Sequence, residues 1–306
     1  MIYFSVIIPN YNHANYLKQR IESVLSQTCQ QFEVIILDDA SDDNSKEIIE
    51  IFRGHPKISH IIYNTENSGS TFKQWEKGFS LAKGNWIWFA ESDDFCSADF
   101  LETAYNSIKL YPHIGLFYCN TTYLGNDQSN NKLFSTEKNL YFKTNKWTND
   151  YVSGGKAEIE MSLGIKCTIN NASSVILKKE LLSLNIKEVA KFKYHGDWYC
   201  YISLLSDSFV SYSSKPMNFY RVGSSGIKDK LPEDGKNKIE CFQILCYLKN
   251  IDLQEKNKLV KEFTLLNLNT GFKKEIKFWI KAFLLNFNTA TNVFKHILKA
   301  RIKYFN

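Results

Sequence analysis

Over the first 120 residues, short apolar runs alternate with segments whose apolar positions recur every three to four residues. Strand-like Tyr3 to Pro9 leads into a helix carrying Leu17, Ile21, Val24 and Leu25 on one side. The pattern next predicts a strand over Phe32 to Leu37, a helix from about Ser45 to Phe52, and a strand around Ile58 to Tyr63. A helix with Phe72, Trp75, Phe79 and Ala82 on one face follows, then the run Asn85 to Ala90, which reads as a strand buried on both faces and places Trp86 and Trp88 in the core. Ser97 is the expected N-cap of a helix with Asp99 near its positive end and Phe100, Leu101, Ala104 and Ile108 turned inward, before a strand over Ile114 to Cys119. This βαβα order predicts a largely parallel sheet with helices on both faces. Residues 121 to 155, rich in Asn, Thr, Ser and Lys, read as loops or edge structure. Order returns at Asn171 to Leu177, in a helix near Asp197 and in a turn-rich stretch from Asn218 to Lys228; from about Glu233 the pattern is wholly helical.

A length of 306 residues with 44% hydrophobic content provides for one large domain and an appendage. The amino-terminal run lacks the features of a signal peptide and no apolar run reaches the roughly 20 residues of a spanning helix, so a cytoplasmic protein is expected. Cysteines 29, 96, 119, 167, 200, 241 and 246 are odd in number and lie in apolar segments, which suits reduced buried thiols. The net charge of +6 is uneven: residues 271 to 306 hold eight Lys or Arg and one acid, Glu275, leaving residues 1 to 270 near neutral. A general nucleic-acid-binding surface is not indicated.

Two acidic groups change the picture. Glu91-Ser92-Asp93-Asp94 ends one apolar run and Asp38-Asp39 ends another. Open α/β sheets bind ligands beyond the carboxyl ends of their strands, so the two groups point to one polar crevice. Three carboxylates in four residues repel one another unless a hard, oxygen-seeking cation such as Mg²⁺ or Mn²⁺ sits among them. No G-x-G-x-x-G follows the first strand and no P-loop motif occurs, so a phosphate group would have to be held by metal.

The series Val6 to Asn12, Ser26-Gln-Thr28, Asp38 to Ser41, Asn67-Ser-Gly69, Ala82-Lys-Gly84 and Glu91 to Asp94 resembles the family 2 glycosyltransferases of GT-A fold, over roughly residues 3 to 225. The resemblance implies an inverting, metal-dependent transferase that takes its sugar from a nucleotide-diphosphate sugar, a UDP-sugar in the first instance. It acts on a glycan or lipid-linked acceptor in bacterial surface polysaccharide or glycoconjugate synthesis. It further implies that Pro9 and Tyr11 form part of the nucleobase site, with Tyr11 stacking on the base, and that Asp39, with Asp38, accepts a hydrogen bond from a uracil nitrogen. The D-x-D motif of the family falls on Glu91-Ser92-Asp93, so Asp93, with Glu91 and Asp94, is the expected Mn²⁺ or Mg²⁺ site, and Glu91 also lies near the ribose. The acidic pair that supplies the base corresponds to Gly196-Asp197, making Asp197 the expected general base.

Two departures stand out: Glu91 occupies the place of an Asp, and Gly223 that of a His found in many relatives. Arg221 or Lys228 is then expected to take up phosphate charge. The expected architecture is a GT-A domain over 1–228 (nucleotide half 1–120, acceptor-side half 121–228) and a helical extension over 229–306. Asn170 or Asn171 is either an acceptor contact or part of a turn. The tail stripe Ile276, Trp279, Ile280, Phe283, Leu284 and Phe287, flanked by Lys273, Lys274, Lys277 and Lys281, is open between docking onto protein and lying in an anionic membrane surface. The rival functions are a non-catalytic sugar-nucleotide-binding or membrane scaffold and a nucleotidyltransferase; the latter needs a basic glycine-rich loop that Asn10-Tyr-Asn-His13 does not provide.

Overall fold

The computed structural model describes residues 2–125, 131–221, 236–268 and 276–305, excepting the side chains of 276, 277 and 298–305. The chain packs as two compact units, Met1–Gly155 with Ile169–Ser224, and Lys156–Thr168 with Ser225–Asn306.

In the first unit the predicted alternation is realised as β1 (Phe4–Asn10), α1 (Ala14–Leu25), β2 (Phe32–Asp38), α2 (Ser45–Ile51), β3 (Ile58–Tyr63), α3 (Thr71–Leu81) and β4 (Trp86–Phe89). There follow β5 (Phe95–Cys96), α4 (Phe100–Leu110), β6 (Ile114–Leu124), β7 (Lys132–Leu133), α5 (Phe134–Phe142) and β8 (Tyr151–Gly154). After α6 (Gly155–Glu158) come β9 (Val175–Lys178), the single turns α7 (Lys179–Leu182) and α8 (Ile186–Val189), then α9 (Gly196–Leu205) and β10 (Phe209–Arg221). Among the described residues the strands form one sheet in the order β3-β2-β1-β4-β9-β6-β10-β5, with β7 on β6 and β8 on β10. The half β3-β2-β1-β4 is parallel, and β1, β2 and β4 are buried along their whole length, with Ser5 and Glu33, the polar exceptions before the strand ends, hydrogen-bonded to each other at 2.7 Å. The rest of the sheet is mixed: β9 pairs antiparallel with both β4 and β6, whereas β6 and β10 pair parallel. Trp86 and Trp88 lie in the core as expected.

The packing explains two glycines. A Cβ on Gly78 of α3 would stand 2.4 Å from Ile7 Cγ2, and one on Gly84 would stand 2.6 Å from the Phe4 carbonyl carbon, so helix and turn approach β1 too closely for any side chain.

Two expectations need correction. Ser97 is not the N-cap of α4; Asp99 holds that position, and the Ser97 hydroxyl donates to its Oδ1 at 2.7 Å. Residues 121–155 are more ordered than a loop, continuing β6 and adding β7, α5 and β8. Helix α5 lacks an apolar rhythm because its inward face carries Lys138, whose Nζ lies 5.0–5.3 Å from the ring centres of Tyr118, Trp147 and Tyr212.

The second unit holds α10 (Lys236–Asn250), α11 (Lys256–Asn267), α12 (Ile276–Leu285) and α13 (Phe287–Phe305). The segment after α6 joins them: the Glu160 carboxylate accepts from the Glu255 amide at 2.8 Å, and Asn267 Nδ2 donates to the Ile165 carbonyl at 3.0 Å. All seven cysteines are free thiols. Among the described residues no helix is long and apolar enough to cross a membrane.

Candidate active site

The loop after β4 is held from every side. The Glu91 amide donates to Ser173 Oγ at 3.1 Å, and the Glu91 carbonyl accepts from Arg20 Nε at 2.8 Å. The Glu91 carboxyl accepts from Trp75 Nε1 at 2.9 Å and from Thr71 Oγ1 at 3.3 Å. Ser92 Oγ hydrogen-bonds His13 Nδ1 at 2.8 Å, and the Asp93 carbonyl accepts from Arg221. Asp94 is fully buried; its Oδ2 accepts from Asn171 Nδ2 at 2.8 Å and stands 4.0 Å from Arg20 Nη2.

Burial pushes the Glu91 carboxyl up to about 8, with the charges of Asp93 and Asp94 adding to the effect and the Trp75 hydrogen bond opposing it. Asp94 rises to about 7, again chiefly through burial and then the charge of Asp93, while Arg20 and Asn171 pull it down. At neutral pH, Glu91 is therefore mainly a neutral acid.

These partners bear on the expected metal site. The Glu91 arm reaches back to α3 and Asp94 turns into the interior, so the loop does not offer Asp93, Glu91 and Asp94 as a joint ligand set. Among the described residues no three His, Cys, Asp or Glu side chains gather around one point. Asp93 supplies one carboxylate at the carboxyl end of the sheet. Mg²⁺-type cations take one or two carboxylates together with phosphate oxygens, so this donor set fits a metal shared with a diphosphate and not an all-protein cage.

A second polar group lies at the ends of β1 and β2. Tyr11 is 46% exposed, as a stacking platform requires, whereas Pro9 is buried within β1. Asp38 Oδ1 accepts from Asn10 Nδ2 at 2.8 Å and Ser41 Oγ at 2.6 Å, and Oδ2 accepts from the Ser41 amide at 3.0 Å. Asp39 is more heavily used: Oδ1 accepts from Asn64, the Ser68 amide and Gln74, and Oδ2 from the Ser68 amide and hydroxyl. A carboxylate has about four acceptor sites, so Asp39 is saturated and Asp38 keeps one. The adjoining backbone is strained, with Asn12 at φ 55° and Ala40 at φ 60°.

Asp197 sits in the first turn of α9, half-buried; its Oδ1 accepts from the Trp198 amide at 2.8 Å, and Oδ2 has no protein partner among the described residues. Gly196 lets α9 press on α3: a Cβ there would lie 2.8 Å from the Phe72 ring. Asp197 thus starts its helix against the one that carries Thr71 and Trp75, the Glu91 partners. Arg221, at the end of β10, donates also to Gln19 and lies 4.9 Å from the Tyr16 ring centre and 4.8 Å from that of Phe95; burial lowers its proton affinity. Asn171 holds the turn before β9, its Nδ2 donating to Asp94 and its Oδ1 accepting from the Ser173 amide at 2.7 Å. Gly223 and Lys228 lie outside the described residues.

Sequence reasoning missed Arg20, which is fully buried, with its guanidinium 5.7 Å from the Trp88 ring centre. The signal was present: Arg20 lies between Leu17, Ile21 and Val24 on the inward stripe of α1, where a charge requires a buried partner. His13, Thr71 and the Trp75 indole left no such trace.

Residues 5–159 match the family model for Glycosyl transferase family 2. Glycosyltransferase GlyG of Streptococcus pneumoniae is 36% identical over 105 residues, 34% of this chain and 35% of that protein, so the match spans about a third of the relative. An uncharacterized glycosyltransferase of Haemophilus influenzae is 28% identical over 229 residues, 73% of this chain and 80% of the relative. The crystal structure of S. aureus TarS 1-349 in complex with UDP-GlcNAc superposes with a TM-score of 0.69 at 22% identity, covering 92% of this chain and 79% of that one. The fold is the GT-A fold.

Proposed function

The chain belongs to glycosyl transferase family 2, and from that premise we propose that it is an inverting, metal-dependent glycosyltransferase using a nucleotide-diphosphate sugar, with UDP as the nucleotide. Its acceptor is a glycan or lipid-linked glycan of surface polysaccharide or glycoconjugate synthesis. The observation that carries the reading is the convergence of Asp93, Arg221 and the scaffolded acidic loop at the carboxyl end of the sheet, with exposed Tyr11 at the end of a neighbouring strand.

The uracil ring stacks on Tyr11, with Pro9 shaping the edge of its seat. Asp38, with one acceptor site to spare, is better placed than saturated Asp39 to take the ring N–H. Asp93 is the ligand this chain offers to Mn²⁺ or Mg²⁺, and such an ion when bound neutralises charge on the departing diphosphate. Arg221 adds fixed positive charge beside Asp93. Asp197 uses its open Oδ2 to accept the proton of an acceptor hydroxyl. The acceptor hydroxyl oxygen, freed of its proton, bonds to the anomeric carbon as the bond from that carbon to the diphosphate oxygen breaks on the opposite face, which releases the nucleoside diphosphate and inverts the centre. The lysine-rich tail serves peripheral attachment to the inner face of the cell membrane, where lipid-linked acceptors are available.

A thermal-shift screen of nucleotide sugars with and without Mn²⁺ tests the donor assignment, since a ligand bound only by the folded state raises its stability. UDP-sugars should raise the melting temperature most strongly with Mn²⁺, and Asp93→Asn should remove the metal-dependent part. Indifference of the wild type to every nucleotide sugar would refute the assignment.

A further inference from the structure

The tail stripe that the sequence presents as one apolar face is divided by the fold. Phe278, Trp279 and Ala282 are buried, and α12 packs on α10 and α13. Ile280, Leu284 and Phe287, spaced four and three residues apart, stay outside at 55%, 82% and 68% exposure, and Leu285 beside them is 53% exposed. The chain bends between the two helices. Asn286 makes the bend, its Oδ1 accepting from the Thr289 amide at 2.9 Å as an N-cap of α13, while Thr289 Oγ1 accepts from Lys249 at 3.1 Å. The result is an anchored elbow with four large apolar side chains at its outer corner.

We infer that this elbow, Ile280 to Phe287, inserts into an anionic lipid surface and is the apolar component of membrane attachment; the inference rests on the peripheral-attachment reading given above. Charge complementarity selects lipid over a second copy of the chain. The stretch from 271 to 306 holds eight Lys or Arg against Glu275 alone, and Lys281 and Lys295 are exposed on the helices that form the elbow. Two copies meeting face to face would bring these like charges together, whereas anionic headgroups neutralise them as the leucines and phenylalanine enter the acyl boundary. A short apolar corner with flanking lysines also suits reversible attachment, in which binding needs both the apolar and the electrostatic part.

The test is co-sedimentation of the full chain with phosphatidylglycerol-containing vesicles and with pure phosphatidylcholine vesicles. Wild type should bind the first and not the second. The exposed-site variant Leu284→Ser/Phe287→Ser should bind roughly tenfold or more weakly, at an unchanged melting temperature and with unchanged response to UDP and Mn²⁺. Lys281→Glu/Lys295→Glu should bind anionic vesicles more weakly than wild type and with a shallower dependence on added salt. If the serine variant binds like wild type, the elbow is not the insertion element although attachment stands. If wild type ignores anionic vesicles, attachment and elbow fail together. If wild type is a dimer without lipid and the serine variant a monomer, a second copy covers the face and the inference is overturned.

Discussion

Replacing Arg20 with Met tests whether the acidic loop is held in place by a buried charge. Arg20 is 0% exposed; it donates through Nε to the Glu91 carbonyl at 2.8 Å and faces Asp94 at 4.0 Å. Methionine fills much of the volume, so the loss is electrostatic. A hydrogen bond from a charged donor is worth about 1.5–3 kcal/mol, and removing one partner of a buried pair costs about 3–5 kcal/mol because the other is left uncompensated. Asp94 has a partial escape: burial already raises its proton affinity, so it can take up a proton and keep the Asn171 hydrogen bond. We therefore expect the lower end, about 3 kcal/mol, or a fall in melting temperature of roughly 6–12 °C for a domain of this size. The assay is urea denaturation of wild type, Arg20→Met, Asp94→Asn and the double variant at pH 7.5. A coupling energy of about 1–3 kcal/mol, with the double variant more stable than Arg20→Met alone, is the expected result. Additive effects, or an Arg20→Met protein within about 0.5 kcal/mol of wild type, would show that the pair is not what holds the loop.

Three further outcomes follow from the same geometry. Ala40 holds φ 60°, a left-handed conformation that costs an L-residue about 1 kcal/mol or more, so Ala40→Gly should raise stability by roughly 0.5 kcal/mol in thermal melts despite the greater freedom of glycine when unfolded. Glu91 binds its proton more tightly folded, at about 8, than unfolded, near 4.5, so its contribution is fully present below pH 4.5 and is lost as pH rises towards 8; Glu91→Gln should remove that component from a stability-versus-pH curve. Tyr11→Ala should weaken UDP binding by about 1–3 kcal/mol in calorimetry, the worth of stacking on one base, while leaving the melting temperature of the free protein within a degree or so.

The parallel half of the fold was legible because β1, β2 and β4 are strongly apolar, broken only at Ser5 and Glu33 before their polar ends, and α1, α3 and α4 keep a helical rhythm. The mixed half was not. Helix α5 is built around Lys138 and its aromatic neighbours, a contact that leaves no period in the sequence, and β9 runs against its neighbours through pairings between residues 57 to 92 apart. At the site, the acidic groups were visible from their places at strand ends, but their partners were not. The donors to Glu91, Asp39 and Asp94 come from α1, α3, the segment between β3 and α3 and the turn before β9, so which carboxyls hold the loops is a tertiary property. Trp75 shows the difficulty: it is 1% exposed and stacks on Phe89 at 4.0 Å, yet its indole N–H is what Glu91 uses.

Asp197 as the base of a sugar transfer is tested by UDP-sugar turnover of wild type and Asp197→Asn, with UDP binding in the presence of Mn²⁺ measured on the same preparations. Asp197→Asn should keep the wild-type nucleotide affinity and lose turnover by about 10²–10⁴-fold. Turnover by Asp197→Asn at the wild-type rate would contradict that role, as would a wild-type protein that binds UDP with Mn²⁺ and neither transfers nor hydrolyses any donor.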